Sequence, residues 1–305
     1  MGLPTKNIGF ISNMKDKDFI ATRDKALSFH MNYLAIRVLL GAKQMNVLSI
    51  GNKDIVESMI KQCEPKGLHI LAYVTITGGD VQAEFNKLVV RIDRYIGKGL
   101  HGLVIEVTNG WSQRLPAEAL KYIRLVRAKY PNLSISLLDT TTGSVNMQQW
   151  AELVDQIMPL CTWTADPYAA IHEEYVRYLN YGVFSNEAEL DSRFVPVIGI
   201  CNLPAHAYIF KSGKVQQAYE KVMESNFNAC GFWDWTPAGV AGLGDDGSSI
   251  DQTMRLLLWD KVSVPPVVIP PIIVPPIIVP PDLTYTDARW MAMFGEFKER
   301  TGYNA

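Results

Sequence analysis

The chain has 305 residues, 48% of them hydrophobic and 20% charged, and its formal net charge is −2. This length and apolar content suit one large globular domain, and the near-neutral charge argues against a protein that binds nucleic acid through a basic face. The 4 cysteines include no CxxC pair and the 5 histidines show no metal-ligand spacing, so neither a metal site nor a cofactor is predicted. The first residues lack a basic segment followed by a long apolar stretch, so we expect no secretory signal and synthesis in the cytoplasm.

Up to about residue 259, short β-rich apolar segments alternate with amphipathic helical patterns. Helices are predicted over residues 16–31, from Asn52 onward, and around residues 85–96, where apolar side chains recur at helical spacing. The predicted strands are residues 7–12, 33–39, 69–77, 101–108, 133–140, 156–164, 194–202 and 229–236. Eight strands that alternate with helices over about 250 residues predict a (β/α)8 TIM barrel. A doubly wound open sheet is the alternative, and the absence of GxGxxG after the first strand argues against it.

A proline-rich segment follows the barrel. Residues 262–281 form the longest uncharged run, but its eight prolines exclude an unbroken helix, so no membrane span is predicted. Proline pairs recur every five residues, which favours a polyproline II arm of roughly 50 Å. The intervening Val and Ile triplets are unfavourable in water, so we expect them to contact a protein partner, other copies of the arm, or the chain's own barrel. The arm residues expected to bind a partner are Val267, Val268, Ile269, Ile272, Ile273, Ile277 and Ile278.

The last segment, residues 282–305, predicts one short amphipathic helix. Trp290, Met293, Phe294 and Phe297 form a single apolar stripe at helical spacing. A lone helix of this length is marginal in water, so Trp290, Phe294 and Phe297 are also expected to contact a partner, or else their own barrel. The predicted organisation is therefore a barrel over 1–261, an arm over 262–281 and an attachment helix over 282–305.

Active residues of such barrels lie at the carboxyl ends of the strands. The candidate catalytic residues there are Glu106, Asp139 and Asp166. The candidate ligand-binding residues are Trp111, Trp163, Tyr168, Asn202, Trp233, Asp234 and Trp235. Aromatic rings beside carboxylates suit sugars, and two carboxylates that flank a bond are what glycoside hydrolysis requires.

The two-residue period of a strand sorts these candidates. Glu106 shares a strand face with Thr108, and both are expected to point into the barrel. The alternative role for Glu106 is a structural acid paired with Arg37. On the last strand Asp234 faces away from both Trp233 and its neighbour Trp235, so either the tryptophans or Asp234 points inward. A loop or helix-capping role is favoured for Asp234.

The segment HGLVIEVT at residues 101–108 resembles the DGxDxDxE signature of glycoside hydrolase family 18, the chitinase-like barrels. Segments 131–138, 151–166 and 231–235 are similar to the same family's strands five, six and eight. The resemblance spans residues 7–260. It implies a chitinase-like barrel in which the last Glu of the signature protonates the glycosidic oxygen and the substrate acetamide assists, steered by the middle Asp.

The signature positions of this chain differ from that pattern. His101, Val104, Glu106 and Thr108 occupy the four acidic positions, so only Gly102 and one carboxylate remain. A threonine hydroxyl is far too weak an acid to protonate a leaving group near neutral pH. The resemblance therefore implies that the family's chemistry has been lost or rebuilt.

The sequence leaves three functions open. The first is a catalytically degenerate, glycosidase-like barrel that binds carbohydrate or serves as a structural subunit, tethered by its arm to a larger assembly such as a virion or surface filament. The alternative is an active glycoside hydrolase that uses Glu106 with Asp139 or Asp166. The third is an assembly protein that uses the barrel only for its shape.

Overall fold

The computed structural model describes residues 6–11, 19–29, 31–45, 49–50, 53–107, 116–139, 147–161, 167–199, 214–225, 227 and 229–233. The predicted arm (262–281) and terminal helix (282–305), with every residue expected to bind a partner, lie outside these residues. No helix in the described ranges is long and apolar enough to cross a membrane.

Eight parallel strands form a closed barrel. In chain order the strands are β1 (Lys6–Ile11), β2 (Tyr33–Leu40), β3 (Lys43–Gln44), β4 (Ser49–Ile50), β5 (Lys53–Asp54), β6 (His69–Ile76), β7 (Gly102–Val107), β8 (Ser134–Asp139), β9 (Gln156–Cys161), β10 (Val197–Gly199) and β11 (Ala229–Trp233). Strands β1, β2 and β6 to β11 pair in that order, and β11 returns to pair with β1. The predicted (β/α)8 barrel is confirmed, and each of its strands lies within a segment predicted as a strand or overruns it by one residue.

Helices connect most of the barrel strands. Their bounds are Phe19–Ser28, Ile55–Cys63, Val81–Ile96, Pro116–Lys129, Met147–Trp150, Pro167–Asn180, Glu187–Arg193 and Lys214–Glu224, with a 3-10 turn at Glu64–Lys66. The second helix begins later than the sequence predicted. Asp54, not Asn52, caps it, because the Asp54 carboxylate accepts hydrogen bonds from the backbone N–H groups of Val56 at 2.9 Å and Glu57 at 3.3 Å.

The barrel interior is filled by side chains from alternate positions of the strands. The buried residues of this interior core are Ile8, Phe10, Tyr33, Ala35, Leu71, Tyr73, Val104, Leu138, Met158, Val195, Val197 and Ala229. Packing is tight enough that a Cβ at Gly231 would lie 2.8 Å from both Phe10 and Val197, so only glycine fits there. The same alternation decides which polar side chains of each strand point inward.

Candidate functional site

One carboxylate occupies the barrel interior near the carboxyl end of β7. Glu106 is only 8% exposed, and its Oε2 atom accepts hydrogen bonds from the hydroxyls of Tyr73 and Thr75. Arg37 Nη2 donates to the same oxygen at 3.1 Å. These residues come from the neighbouring strands β2, β6 and β7, whose register sets Arg37 beside Tyr73 and Thr75 beside Glu106. The inward orientation predicted for Glu106 is confirmed, and its ion pair with Arg37 is formed.

Aromatic rings enclose the Arg37 guanidinium. Its central carbon lies 4.7 Å from the Tyr73 ring centroid and 5.6 Å from that of Trp233. Trp233 also packs on Phe10, with 5.8 Å between the two ring centroids. Burial, and after it the Glu106 charge, raises the pKa of Tyr73 well above its ordinary value, so this hydroxyl keeps its proton. The cation is thus held between two π faces and a carboxylate.

The arrangement makes Glu106 an acceptor with a fixed position. The hydrogen bonds that Glu106 makes to the described residues all reach Oε2, and none of those residues donates to Oε1. Separating Glu106 from Arg37 would leave an uncompensated charge inside the barrel, which is strongly unfavourable. Glu106 can therefore receive a further donor at Oε1 more easily than it can leave its partners.

Asp139 lies on the other side of the barrel wall. Its Oδ2 atom accepts hydrogen bonds from Arg177 Nη2 at 2.7 Å and from the Tyr178 hydroxyl at 2.6 Å, and both donors belong to the helix Pro167–Asn180. The adjacent residue Leu138 belongs to the interior core, so Asp139 faces the helical layer. The structure does not bring Glu106 and Asp139 together.

The remaining candidates divide in two groups. Trp233 lies on the inner face of β11 and contacts Arg37, the ion-pair partner of Glu106. Of the two orientations predicted for this strand, the one with Trp233 pointing inward is therefore observed. Tyr168 is buried in the first turn of the helix Pro167–Asn180. Outside the described residues lie Asp166, Trp111, Trp163, Asn202, Asp234, Trp235 and the signature residue Thr108.

Sequence reasoning missed two features of the polar barrel. The sequence motifs do not mark Tyr73, and the one signal for its inward hydroxyl is its place between Leu71 and Thr75 on one strand face. At the opposite, amino-terminal end of the barrel, Glu64, His69 and His101 converge on one another, which no spacing of histidines along the chain indicated.

No family model and no curated protein matches the sequence. Solved structures do match the fold. Active domain 2 of the Pyrococcus furiosus chitinase, crystallised with chito-oligosaccharides, gives a TM-score of 0.60 at 10% identity over 86% of this chain and 97% of that one. A Bacteroides thetaiotaomicron chitinase gives 0.62 at 11% identity over 86% and 99%. A Cycas revoluta family GH18 chitinase in complex with allosamidin gives 0.57 at 12% identity over 84% and 99%.

The chain has a chitinase-like TIM-barrel fold. At these identities the similarity concerns the fold alone. Inside this barrel Arg37, Tyr73, Thr75 and Glu106 form one hydrogen-bonded polar cluster, the inner cluster.

Proposed function

We propose that the chain is a carbohydrate-binding barrel without hydrolytic activity. The observation that carries the proposal is the hydrogen bonding of Glu106 in the inner cluster, where an arginine and two hydroxyls all donate to one of its carboxylate oxygens. A general acid or base has to exchange a proton with the substrate in the transition state. A carboxylate that is paired with a buried arginine suits a fixed acceptor better than such a proton-exchanging group.

The resemblance to family 18 supports the same proposal. Its signature puts the proton donor at the position of Thr108, whose hydroxyl is too weak an acid for that role. A hydrolase that uses two catalytic carboxyl groups, without help from a substrate acetamide, needs the second group within about 5–10 Å of the first, on the same side of the barrel wall. Asp139 does not meet this requirement because its side chain contacts Arg177 in the helical layer.

The proposed ligand is a chitin-type or peptidoglycan-type oligosaccharide. Trp233 is partly exposed beside the inner cluster, and an indole ring suits the C–H face of a sugar. A sugar hydroxyl or amide N–H can donate to Glu106 Oε1, which takes no bond from the described residues. The first probe is chito-oligosaccharide, because a fold neighbour was crystallised with it.

The proposal includes a tether. The segments at residues 262–281 and 282–305, predicted as an arm and a helix, attach the barrel to a larger assembly, such as a virion or a surface filament. The support is the five-residue proline period with its aliphatic triplets, which a plain spacer does not need. Deleting residues 264–305 tests the tether: the truncated chain should lose its oligomeric mass or its place in the complex, and an unchanged mass and complex would contradict it.

The experiment measures binding and turnover on the same samples. Titration calorimetry with chitohexaose should show saturable binding to the wild type, and product analysis of the same mixture should show no shorter oligosaccharides. Trp233→Ala should weaken binding at least tenfold. Phe184→Ala removes a half-buried aromatic ring that packs on Arg193 in the helical layer, and it should leave the affinity unchanged.

An active hydrolase is the competing function, favoured by the position of Glu106 inside the barrel at the carboxyl end of β7. The second carboxyl group would then be Asp166. Turnover of chito-oligosaccharides by the wild type, abolished by Glu106→Gln, would replace the binding proposal with this one. If the wild type neither binds nor cleaves chito-oligosaccharides and peptidoglycan fragments, the barrel is structural and both carbohydrate functions are excluded.

A further inference from the structure

Three metal-ligating side chains meet at the amino-terminal end of the barrel. His69 Nδ1 lies 3.0 Å from Glu64 Oε2 and 3.2 Å from Glu64 Oε1. His101 Nε2 lies 2.8 Å from Glu64 Oε1, and the two imidazole rings are stacked with 3.9 Å between their centroids. One ligand atom from each residue can be chosen so that all three lie within 4.8 Å of one another. These three residues are named the basal cluster.

The backbone structure positions each of the three residues of the basal cluster. Glu64 belongs to the 3-10 turn that ends at Gly67, which has the left-handed φ of 73° that glycine adopts readily. The backbone N–H of His69 donates to the carbonyl of Asn32, and that of His101 donates to Ile70, which holds both histidines at the start of neighbouring strands. The three side chains are therefore brought together by the barrel register and not by a local sequence motif.

The basal cluster is open to small solutes. The side chains of Glu64, His69 and His101 are 38%, 28% and 33% exposed. Tyr33 closes the inner side, with ring centroids 5.4 Å from His69 and 6.3 Å from His101. The site therefore has an apolar floor, a carboxylate, two imidazoles and access from solvent.

We propose that Glu64, His69 and His101 bind one zinc ion, whose remaining coordination positions are filled by water. Ligand atoms around a tetrahedral zinc ion lie roughly 3.4 Å apart, because each bond is about 2.1 Å long. The Glu64–histidine distances of 2.8–3.2 Å are about 0.2–0.6 Å shorter than that spacing, and the three ligand atoms lie within 4.8 Å of one another, so the side chains have to rotate to admit the ion. Coordination uses Nδ1 of His69 and Nε2 of His101, and each neutral ring then carries its proton on the other nitrogen.

The donor set selects the class of metal. Imidazole nitrogen with one carboxylate suits zinc and its first-row neighbours, whereas calcium and magnesium require mostly oxygen ligands. The ion would join the 3-10 turn to the first residues of two barrel strands and stabilise the folded state by an amount that rises with the logarithm of the free zinc concentration.

The test uses the full chain, expressed without a polyhistidine tag and treated with a chelator. Titration calorimetry with ZnCl2 alone should give one site per chain with a dissociation constant in the micromolar range or below. Saturating Zn²⁺ should raise the melting temperature by about 5 °C at a hundredfold excess over the dissociation constant. MgCl2 and CaCl2 at the same concentrations should change neither measurement.

Matched variants locate the binding. His69→Asn, His101→Asn and Glu64→Gln should each weaken zinc binding at least tenfold and abolish the thermal shift. His172→Asn, which changes a histidine on the helix Pro167–Asn180, should keep both. Circular dichroism of the chelated variants separates a lost site from a lost fold. Cobalt(II) supplies a second readout, since its visible spectrum should show two nitrogen ligands and disappear in the two cluster histidine variants.

Two results would overturn the proposal. One is that the wild type binds no Zn²⁺ at about 100 μM, a hundred times the highest expected dissociation constant. The basal cluster would then be a hydrogen-bond network and not a metal site. The other is equal zinc binding by the cluster variants and the wild type, which would assign the metal to other histidines. Neither result depends on carbohydrate binding at the opposite end of the barrel.

Discussion

Strands β6 and β7 have a polar cluster at each end. The two clusters differ in burial and in the side chains that contact the carboxylate. At the carboxyl end the side chain of Glu106 is 11% exposed and pairs with the guanidinium of Arg37. At the amino end the side chain of Glu64 is 38% exposed and contacts the imidazole rings of His69 and His101, whose nitrogen atoms can also bind a metal ion.

This difference decides what each carboxylate can do. Inside the barrel, separating Glu106 from Arg37 costs several kcal/mol, so this ion pair stays formed. At the half-exposed end, water can replace any lost hydrogen bond, and the lone pair of a neutral imidazole can bind a metal ion while the other ring nitrogen keeps its proton. A carboxylate at the usual active end of a barrel is thus the less available one in this molecule.

The largest effect is expected from Arg37→Met. This change leaves Glu106 charged inside the barrel without its partner, so the free energy of unfolding should fall by about 3–5 kcal/mol at pH 7, measured by urea denaturation. The double variant Arg37→Met, Glu106→Leu should recover most of the loss, because it removes both charges. If Arg37→Met lowers the free energy of unfolding by less than about 1 kcal/mol, the Arg37–Glu106 pair contributes no more than an exposed ion pair does.

Asp139→Asn should give the next largest effect. It removes the charge that holds Arg177 and accepts from Tyr178, at 2.7 and 2.6 Å, and should cost about 2 kcal/mol of stability. Chitohexaose affinity should stay within twofold of the wild type, because Asp139 faces the helical layer. A loss of binding or turnover in a stably folded Asp139→Asn protein would put this residue in the ligand site.

Tyr73→Phe probes the inner cluster with a smaller change. The ring stays in place against Phe10 and Trp233, but Arg37 and Glu106 each lose one hydrogen-bond partner, so a loss of about 1–2 kcal/mol is expected. Urea denaturation measures it, and Tyr122→Phe, at another fully buried tyrosine, is the control for loss of a buried hydroxyl. Equal losses in both variants would show that the inner cluster adds nothing special at Tyr73.

The sequence predicts the barrel and one of its polar residues well, for a physical reason. Eight apolar segments alternating with helical patterns leave few topologies, and the two-residue period of a strand fixes the orientation of Glu106 once Val104 is inside. The orientation of Asp139 is harder to predict. Its strand is covered on both faces, so Leu137 and Leu138 are both buried and the hydrophobic pattern does not tell the two faces apart.

The basal cluster could not be predicted from spacing at all. Glu64 and His101 are 37 positions apart, and they meet only because His101 follows the register that pairs Leu71 with Gly102. Metal motifs that can be read from sequence lie within one helix or turn, where local geometry fixes the ligands. Here the ligands come from a 3-10 turn and from the starts of two parallel strands, so the barrel itself creates the site.

The smallest effect is expected from Glu64→Gln in metal-free protein. The glutamine amide can still accept from one imidazole, and the exposed pair contributes little, so the free energy of unfolding should change by less than about 1 kcal/mol. Urea denaturation in the presence of a chelator measures it, with Arg37→Met as the contrasting variant. If Glu64→Gln lowered the free energy of unfolding as much as Arg37→Met does, the contacts of Glu64 with its histidines would stabilise the fold as strongly as the contact of Glu106 with its arginine. Partial exposure would then not explain the difference between the two ends of the barrel.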